Sequence, residues 1–394
     1  MKKRNGESRA LIDSIAMGNG AGEVRQEQNR DLTKVGPSTP IGALFRHYWQ
    51  PVALLAELEK RNPLTAKVLG ETLCLFRDAG GRIGLIDDRC AHRGTSLSAG
   101  DPLIQTSGRI DERGLRCCYH GWLYDITGQC RDQPAEGDGG RFASKVKIAS
   151  YPVRDYGGMI WAYLGTGEPP VLPPIDVIAR QDGYRLLTIG EWPCNFFQVA
   201  ENCVDPVHVS VLHLDTDFND PFRAIPEQEV AETPLGLKTI AGRPGYLREV
   251  EFFLPACVRL ALPIMQPPVD MAFWIVPIDD ISTRSLHAWF IPFDVTMSQA
   301  EREAAIDRFH RFIYEGGRHD PLRHSTKINA QDKFATESQG LVALRHREHL
   351  GRSDKGVILY RKLFLEAMEA TAEGRDPRGV MREPTDMLRF ENVF

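Results

Sequence analysis

Short segments of alternating apolar and polar residues, separated by turns, fill the chain from about Arg46 to Gly165. Thr72–Arg77 is one such segment; a turn at 78–81 joins it to the next, Arg82–Asp87. A period of two residues is typical of a strand with one buried face, and a short turn between two such strands predicts a hairpin. We therefore expect an all-β module over residues 46–166.

The rest of the chain mixes strand and helix patterns. The Pro-rich stretch Glu168–Pro174 is stiff and poor in N–H donors, which indicates a domain boundary. Ser298 and Glu301 fit a capping box at a helix start, and a second amphipathic helix is expected from about Lys355 to Glu373. Apolar runs predict strands over Tyr246–Phe253, Met271–Val276 and Ser285–Ile291. This second part is therefore predicted to be α+β.

Composition narrows the possible partners. The chain has 394 residues, 42% of them hydrophobic, and a net charge of -5. It has no excess positive charge for nucleic acid, no apolar run near the roughly 18 residues of a membrane span, and no secretory signal pattern. We expect a cytoplasmic protein that binds neither nucleic acid nor membrane. Eight cysteines are too few for a disulfide scaffold, and three of them stand near histidines, which points to metal binding.

Two short segments inside the predicted β-module each combine a cysteine with a histidine. They begin at Cys90 and Cys117 and reach His92 and His120, with a glycine soon after each histidine. Two thiolates and two imidazoles suit a [2Fe-2S] cluster of the Rieske type, in which imidazoles replace two thiolates on one iron and raise the reduction potential. The same side chains could hold one zinc ion. Zinc sites usually pair like ligands, so the mixed segments favour the cluster.

At these residues the chain resembles the Rieske iron-sulfur family, whose loops read C-x-H-R-G and C-x2-H-G-W. Respiratory members also have a disulfide-forming cysteine in each loop, at positions filled here by Thr95 and Tyr119. The resemblance therefore points to the oxygenase branch. It implies four cluster ligands: Cys90, His92, Cys117 and His120.

A second group of candidate ligands lies at 201–213. Asp205 and Pro206 predict a helix start with Asp205 as N-cap, and His208 and His213 follow, five residues apart. Five residues turn an ideal helix by about 500°, which leaves the two rings about 140° apart. Both can bind one ion only if the helix breaks or bulges between them. A ferrous site that activates O2 also needs a carboxylate, and spacing alone leaves four candidates: Asp320, Asp332, Glu337 and Asp354.

The segment 202–213 has the spacing N-x2-D-x2-H-x4-H, which resembles the iron motif in α-subunits of Rieske non-haem iron oxygenases. The segment 331–338 resembles the region of their third ligand. The resemblance implies that His208, His213 and Asp332 bind one mononuclear Fe(II). Further similarity over nearly the whole chain points to the phthalate dioxygenase-like branch of aromatic ring-hydroxylating oxygenases.

The resemblance also implies a fold of class α+β. We expect an all-β Rieske [2Fe-2S] domain over residues 46–166. A START-like, helix-grip catalytic domain with a large antiparallel sheet and flanking helices is expected over 167–394. Residues 1–45 would form an N-terminal arm and helix associated with the catalytic domain.

By the same resemblance, Asp205 connects the two metal centres. It would bridge to His120 of a neighbouring subunit, because the two centres of one chain lie too far apart for electron transfer. The spacing adds a second role: Asp205 lies one helical turn before His208, close enough to accept its free ring N–H and orient it. The bridge between subunits implies a homotrimer or two stacked trimers. Asn202 would lie near the iron without binding it. The sequence has no dinucleotide or ferredoxin motif, so electrons are expected from a separate NADH-dependent flavin and [2Fe-2S] reductase.

The expected reaction is O2-dependent hydroxylation of an aromatic substrate, in the first place an aryl carboxylate. Alternatives are O-dealkylation of an aryl ether, hydroxylation of a non-aromatic substrate at the same site, and a protein that only transfers electrons. A substrate carboxylate would need a bidentate arginine. Arg243, Arg248 and Arg259 fall on or beside predicted strands, where a surface charge is the simpler interpretation of each.

Overall fold

The structure is a computed structural model. It describes residues 31–214, 223–263, 265, 267–314, 322–323, 326–384 and 388. Most of the expected N-terminal arm and the candidate ligand Asp320 lie outside these described residues. The chain divides into two units, one formed by Arg46–Pro169 and one by Pro170–Phe394 together with the residues up to Phe45. The second dividing point falls within the Pro-rich stretch.

The α-helices that lie wholly within the described residues are α1 Pro40–Phe45, α2 Leu55–Lys60, α3 Asp176–Ala179, α4 Phe196–Val204, α5 Val209–Leu212, α6 Gln299–Ile313, α7 Lys327–Glu337 and α8 Lys355–Ala372. The strands are β1 Trp49–Leu54, β2 Leu64–Val68, β3 Glu71–Arg77, β4 Ile83–Asp87, β5 Arg109–Asp111, β6 Gly114–Arg116, β7 Leu123–Tyr124, β8 Cys130–Asp132, β9 Ser150–Tyr151, β10 Val153–Tyr156, β11 Met159–Tyr163, β12 Gly183–Trp192, β13 Glu227–Glu232, β14 Gly236–Arg243, β15 Tyr246–Phe253, β16 Cys257–Leu262, β17 Val269–Asp279 and β18 Ser282–Pro292.

The unit Arg46–Pro169 consists of short antiparallel strands, which confirms the predicted β-rich module; α2 is a short helical insertion. Its sheets have the strand orders β1-β11-β10, β2-β3-β4-β9 and β5-β6-β7-β8. The β3–β4 hairpin turns where predicted, and Gly81 in that turn has a φ of +85°, which favours glycine. Fully buried side chains such as Phe76, Leu115 and Tyr124 form the core. From this core the β4–β5 and β6–β7 loops lead to Cys90 and Cys117.

The second unit contains a seven-stranded antiparallel sheet with the order β12-β18-β17-β16-β15-β14-β13. The predicted strand Tyr246–Phe253 is β15, and the predicted strands Met271–Val276 and Ser285–Ile291 are the middle parts of the longer β17 and β18. Helices accompany this sheet, so the predicted α+β class is confirmed.

Aromatic side chains hold the helices of this unit together. The ring of Phe197 on α4 lies 5.0 Å from Tyr360 and 5.3 Å from Phe364, both on α8. Helix α8 crosses the end of α4 so closely that a Cβ at Gly356 would lie 2.1 Å from the carbonyl oxygen of Val204. The end of α4, which leads to the candidate iron ligands, is therefore fixed by backbone contact with α8.

The predicted helix ends are also present. The Ser298 hydroxyl caps α6 in a capping box with Glu301, and α8 ends one residue before the predicted limit. Among the helices of the described residues, none combines the length and apolar character needed to cross a bilayer.

Candidate functional site

The loops that carry Cys90 and Cys117 share one backbone pattern. In each loop the cysteine N–H donates to the carbonyl five residues later, and its carbonyl accepts from the glycine four residues later, at 2.8 to 3.1 Å. These glycines, Gly94 and Gly121, have φ values of +74° and +76°. Because that conformation favours glycine, the motif glycines are needed to close the loops.

The two thiols are buried and face each other. Cys90 and Cys117 are each 2% exposed. A hydrogen bond from the Cys117 thiol lowers the pKa of Cys90 to about 6, and the Tyr124 hydroxyl adds to this effect. The pKa of Cys117 is raised because that thiol holds its proton against the Cys90 sulfur. Thiolate is the form that binds metal, so Cys90 is the thiol of this pair that ionises first.

The two imidazoles lie on the outer side of the thiols. The ring centroids of His92 and His120 are 4.4 Å apart, and the Trp122 ring stacks on His92 at 4.7 Å. His92 is exposed and His120 is half-buried. A cluster held here would therefore have its thiolate end in the core and its imidazole end at the surface.

This arrangement distinguishes between the two metals considered for the four ligands. In the part of the chain that the structure describes, only His208, His213 and Asp332 form a group of three or more potential ligand residues whose ligand atoms all lie within 4.8 Å of one another. The four cysteine and histidine ligands are thus not gathered around one ion. A thiol pair beside an imidazole pair fits a cluster with two irons, so the geometry favours it over zinc.

His208, His213 and Asp332 converge on one point in the second unit. Asp332 Oδ1 lies 3.5 Å from His208 Nε2 and 3.2 Å from His213 Nε2. A first-row metal binds such atoms at about 2.1 Å, so ligands at right angles lie about 3 Å apart. The three side chains therefore fit three adjacent ligand positions on one ion, as in a two-histidine, one-carboxylate site with open positions.

The helix break that the two histidines require is present. His208 precedes the single-turn helix α5 and His213 follows it, so neither ring is confined to the helix face. The prediction that Asp205 is an N-cap is wrong: Asp205 is the C-cap residue of α4, and its carboxylate accepts the Val207 N–H at 2.8 Å. The Asp-Pro pair ends one helix and leads into the ligand segment.

Hydrogen bonds fix the tautomer of both histidines. His208 Nδ1 donates to the backbone carbonyl of Asp205 at 2.5 Å, whereas the nearer Asp205 carboxylate oxygen is 3.9 Å away. The carbonyl, not the expected carboxylate, therefore orients His208. His213 Nδ1 donates to Gln331 Oε1 at 2.9 Å. Both Nε2 atoms are left to face the metal. Sequence reasoning missed Gln331; its position directly before Asp332 was the available signal.

Charge at the site suits a cation. Burial alone would raise the pKa of Asp332, but its contact with His213 and the nearby His208 lower it. Burial lowers the pKa of His208, while Asp332 outweighs burial and raises the pKa of His213. The Asn202 side chain donates to Asp332 Oδ1 at 3.2 Å, so it lies beside the ligands as expected. The site offers an ionised carboxylate and imidazole nitrogens.

Comparison with known proteins identifies the family. Residues 48–152 match the Rieske [2Fe-2S] domain. Over 91% of its length the chain is 33% identical to the 5,5'-dehydrodivanillate O-demethylase oxygenase subunit of Sphingobium sp. (strain NBRC 103272 / SYK-6), 84% of which is covered. Over 96% of its length it is 31% identical to the phenoxybenzoate dioxygenase subunit alpha of Ectopseudomonas oleovorans, 94% of which is covered. The chain belongs to the Rieske oxygenases.

A solved structure agrees with this assignment at the level of the fold. The oxygenase of carbazole 1,9a-dioxygenase, in complex with its ferredoxin, matches 86% of this chain and 92% of its own with a TM-score of 0.63 and 21% identity. The Rieske oxygenase described here is therefore an O2-using oxidoreductase with one [2Fe-2S] cluster and one mononuclear iron. A protein that only transfers electrons, considered from the sequence, is contradicted.

The oxygenase has a cavity of about 170 Å³ beside the three iron-site residues. A cavity of about 150 Å³ is enough for a benzene molecule. Side chains from one face of the sheet form a largely apolar wall: Thr239 and Ala241, Arg248 and Val250, Val258, Leu260 and Leu262, Met271 and Phe273, and His287 and Trp289. The spacing of two along each strand is the alternation of a sheet face.

The three arginines considered from the sequence have different surroundings. Arg259 is 2% exposed and binds both carboxylate oxygens of Asp176, at 2.9 and 2.8 Å. Arg243 is also buried and donates to the Pro206 carbonyl at 2.9 Å, which braces the segment before His208. Surface charge is thus the wrong interpretation for both. Arg248 lines the cavity, where it is the only arginine or lysine among the described lining residues.

Proposed function

We propose that the protein is the terminal oxygenase component of a multi-protein system that hydroxylates an aryl carboxylate. The observation that carries the proposal is the group of His208, His213 and Asp332 at the border of an apolar cavity whose wall contains Arg248. The cavity volume suits an aromatic ring, and a guanidinium matches a carboxylate in shape and charge.

Arg248 lines the same cavity as the iron-site residues, so it could fix a substrate relative to them. Burial lowers its pKa, and the opposite charge of Asp332 acts against this effect. A carboxylate held by Arg248 would gain strength from the apolar surroundings, because the low local dielectric weakens charge pairs less than water does. The substrate ring would then be held beside the iron, and its orientation would decide which carbon reacts.

Each metal centre has its own set of proposed ligands. Cys90, His92, Cys117 and His120 would hold the cluster, and His208, His213 and Asp332 the Fe(II). When bound, the cluster stores one electron and the ferrous ion supplies a second and activates O2. The protein's part is to bury the thiolates, fix both Nε2 atoms toward the metal and keep the substrate cavity apolar.

Asp205 is the proposed link between centres of adjacent subunits. It lines the substrate cavity and also a second, polar depression of about 420 Å³ that is shared with Asn202 and Glu348. A residue between the cavity and an open depression could be reached by the surface imidazole His120 of a neighbouring subunit. The proposed assembly is therefore a homotrimer or two stacked trimers.

Electrons would come from a separate protein. In the family, the carbazole 1,9a-dioxygenase oxygenase forms a complex with a ferredoxin, and both relatives described above are named as subunits. An NADH-dependent flavin and [2Fe-2S] reductase is the proposed donor. The exposed His92 edge of the cluster would serve as its point of contact.

O-dealkylation of an aryl ether is a second candidate, favoured by the 33% identity to an O-demethylase oxygenase subunit. The same site could serve both reactions, because the position of the substrate carbon relative to the iron selects the outcome. A methoxy carbon, rather than a ring carbon, would then be the nearest substrate atom.

The test is a substrate panel with iron- and sulfide-loaded protein and a surrogate reductase. Benzoate, phthalate, methoxybenzoates and phenoxybenzoates are supplied in turn, and product, formaldehyde and O2 uptake are measured. We expect ring hydroxylation, or formaldehyde from a methoxybenzoate, to require Asp332; Asp332→Ala is the inactive control. Arg248→Met should raise KM for carboxylates, with Arg248→Lys intermediate. Intact metal centres with no product from any aryl carboxylate would reject the proposal.

A further inference from the structure

His287 on β18 places an imidazole within the apolar wall of the cavity. It is 5% exposed and lies among the cavity-lining side chains. Its ring stacks on Phe273 at 4.9 Å and on Trp289 at 5.8 Å, with interplanar angles of 12° and 11°. Stacking on two aromatic rings leaves the imidazole little freedom to turn. A polar group is thus held rigidly at one place in the wall.

Ser285 determines which nitrogen of this imidazole carries the hydrogen. The Trp192 indole N–H donates to Ser285 Oγ at 2.9 Å, and Ser285 Oγ lies 2.8 Å from His287 Nε2. Because an indole can only donate, the serine accepts from Trp192 and has its own hydrogen to give. If the serine donates to Nε2, the Trp192 indole N–H, the Ser285 hydroxyl and His287 Nε2 each have a hydrogen-bond partner and the imidazole is neutral. His287 then carries its hydrogen on Nδ1, which is a donor.

Gly190 on β12 makes room for this chain of hydrogen bonds. It pairs directly with Ser285 across the two strands. A Cβ at Gly190 would lie 2.4 Å from Ser285 Oγ and 3.3 Å from Trp192 Nε1. Any larger residue would therefore displace the serine that orients His287. Gly190 therefore has a specific packing reason to be a glycine, although a glycine inside a strand generally weakens a sheet.

We propose that His287 is a specificity-determining residue whose Nδ1–H donates to a neutral ether or hydroxyl oxygen of the substrate. This inference rests on the proposed function, because it assumes that an aryl carboxylate binds in the cavity. His287 on β18 and Arg248 on β15 have two strands between them, so their backbones are about 14 Å apart at the usual strand spacing. The two polar groups would therefore hold different ends of one substrate: an aryl carboxylate with a second oxygen.

Matched ligand pairs that differ only in that oxygen test the inference. The pairs are 4-methoxybenzoate with 4-ethylbenzoate, and 3-phenoxybenzoate with 3-benzylbenzoate. Binding to the metal-loaded protein is measured by anaerobic calorimetry. A neutral hydrogen bond predicts that wild-type protein binds the oxygen-containing member of at least one pair about fivefold to tenfold more tightly. His287→Phe should reduce this preference to less than about twofold by weakening only that member.

Two further variants separate hydrogen bonding from loss of shape. His287→Asn keeps an N–H donor and should retain part of the preference. Ser285→Ala removes the hydroxyl that orients the imidazole. It should reduce the ratio of affinities for the oxygen-containing and the oxygen-free member of a pair, and leave the affinity for the oxygen-free member unchanged. Met271→Leu, in the same wall, is the control and should change both members equally. The cluster spectrum and iron content verify that each variant is folded.

The outcomes distinguish this inference from the function on which it rests. If the wild-type protein binds no aryl carboxylate although both metal centres are intact, the proposed function fails. If it binds aryl carboxylates but has no preference in either pair, or if His287→Phe keeps the wild-type preference, His287 is not the donor. Equal weakening of both members in His287→Phe would assign it a packing role only.

Discussion

Gln331 provides the sharpest test of the iron-site geometry. It lies on α7 directly before Asp332, and its Oε1 accepts the His213 Nδ1 hydrogen at 2.9 Å. The equivalent bond from His208 goes to a backbone carbonyl, which no side-chain substitution removes. Gln331→Leu therefore deletes the support of one histidine ligand and leaves that of the other unchanged.

Two independent considerations give the size of the effect. Residues that orient metal-bound histidines typically contribute about 10- to 100-fold to metal affinity, which corresponds to about 1.4 to 2.7 kcal/mol. His213 is 5% exposed, so the variant leaves a buried N–H without this acceptor, at a cost of about 1 to 3 kcal/mol. The two ranges agree, and we expect Gln331→Leu to bind Fe(II) about 10- to 100-fold more weakly.

The assay is an anaerobic Fe(II) titration of metal-free mononuclear sites against a competing chelator. Gln331→Glu is the matched control, because it restores an acceptor of nearly the same shape and should bind iron at least as tightly as wild-type protein. The visible spectrum of the cluster, which belongs to the other unit of the chain, should be the same in both variants. Wild-type iron affinity in Gln331→Leu would refute the argument that this bond orients His213.

Three other substitutions have definite expected outcomes. Asp332→Ala should reduce the iron content from three to two per chain and keep the cluster spectrum, because only the mononuclear site loses a ligand; three retained irons would contradict this. Asp205→Ala should keep both metal centres but lose electron transfer between them. If the reduced cluster of this variant is oxidised at the wild-type rate in a single turnover, Asp205 does not link the centres. Gly356→Ala should destabilise the fold by about 1 to 3 kcal/mol in thermal unfolding, because its Cβ would lie 2.1 Å from the Val204 carbonyl oxygen. Gly351→Ala, where a Cβ would lie 3.6 Å from its nearest neighbour, a carboxylate oxygen of Asp354, is the near-neutral comparison.

Features that depend on neighbouring residues could be predicted from the sequence. Each cysteine loop closes within five residues, so the positions of Cys90 and Gly94 already determine its geometry. The strand Tyr246–Phe253 was predictable for the same reason, since its apolar pattern is local. Such local loops favour a [2Fe-2S] cluster, whereas the class of reaction also depended on the motif that contains His208 and His213.

Features that depend on contacts between distant segments could not be predicted in this way. Spacing left four carboxylates open as the third ligand, and the resemblance, not the spacing, selected Asp332. The Asp-Pro pair predicts an N-cap at Asp205, but the preceding helix ends at Val204 and makes Asp205 its C-cap residue. The position of Arg259 on a strand does not show that its guanidinium pairs with Asp176, which is distant in the sequence, and is buried there.

The iron-site residues and the cavity wall come from different elements, which explains why the substrate is harder to predict from the sequence than the reaction. The iron-site residues His208, His213 and Asp332 come from helix α7 and the segments around α5. The opposite wall of the cavity comes from alternate residues of the sheet, including Arg248 and His287. A substitution on that wall can change the shape and hydrogen bonding of the cavity while every proposed iron ligand keeps its position. Relatives can therefore share one metal chemistry and differ in substrate, and the wall positions are where specificity has to be sought.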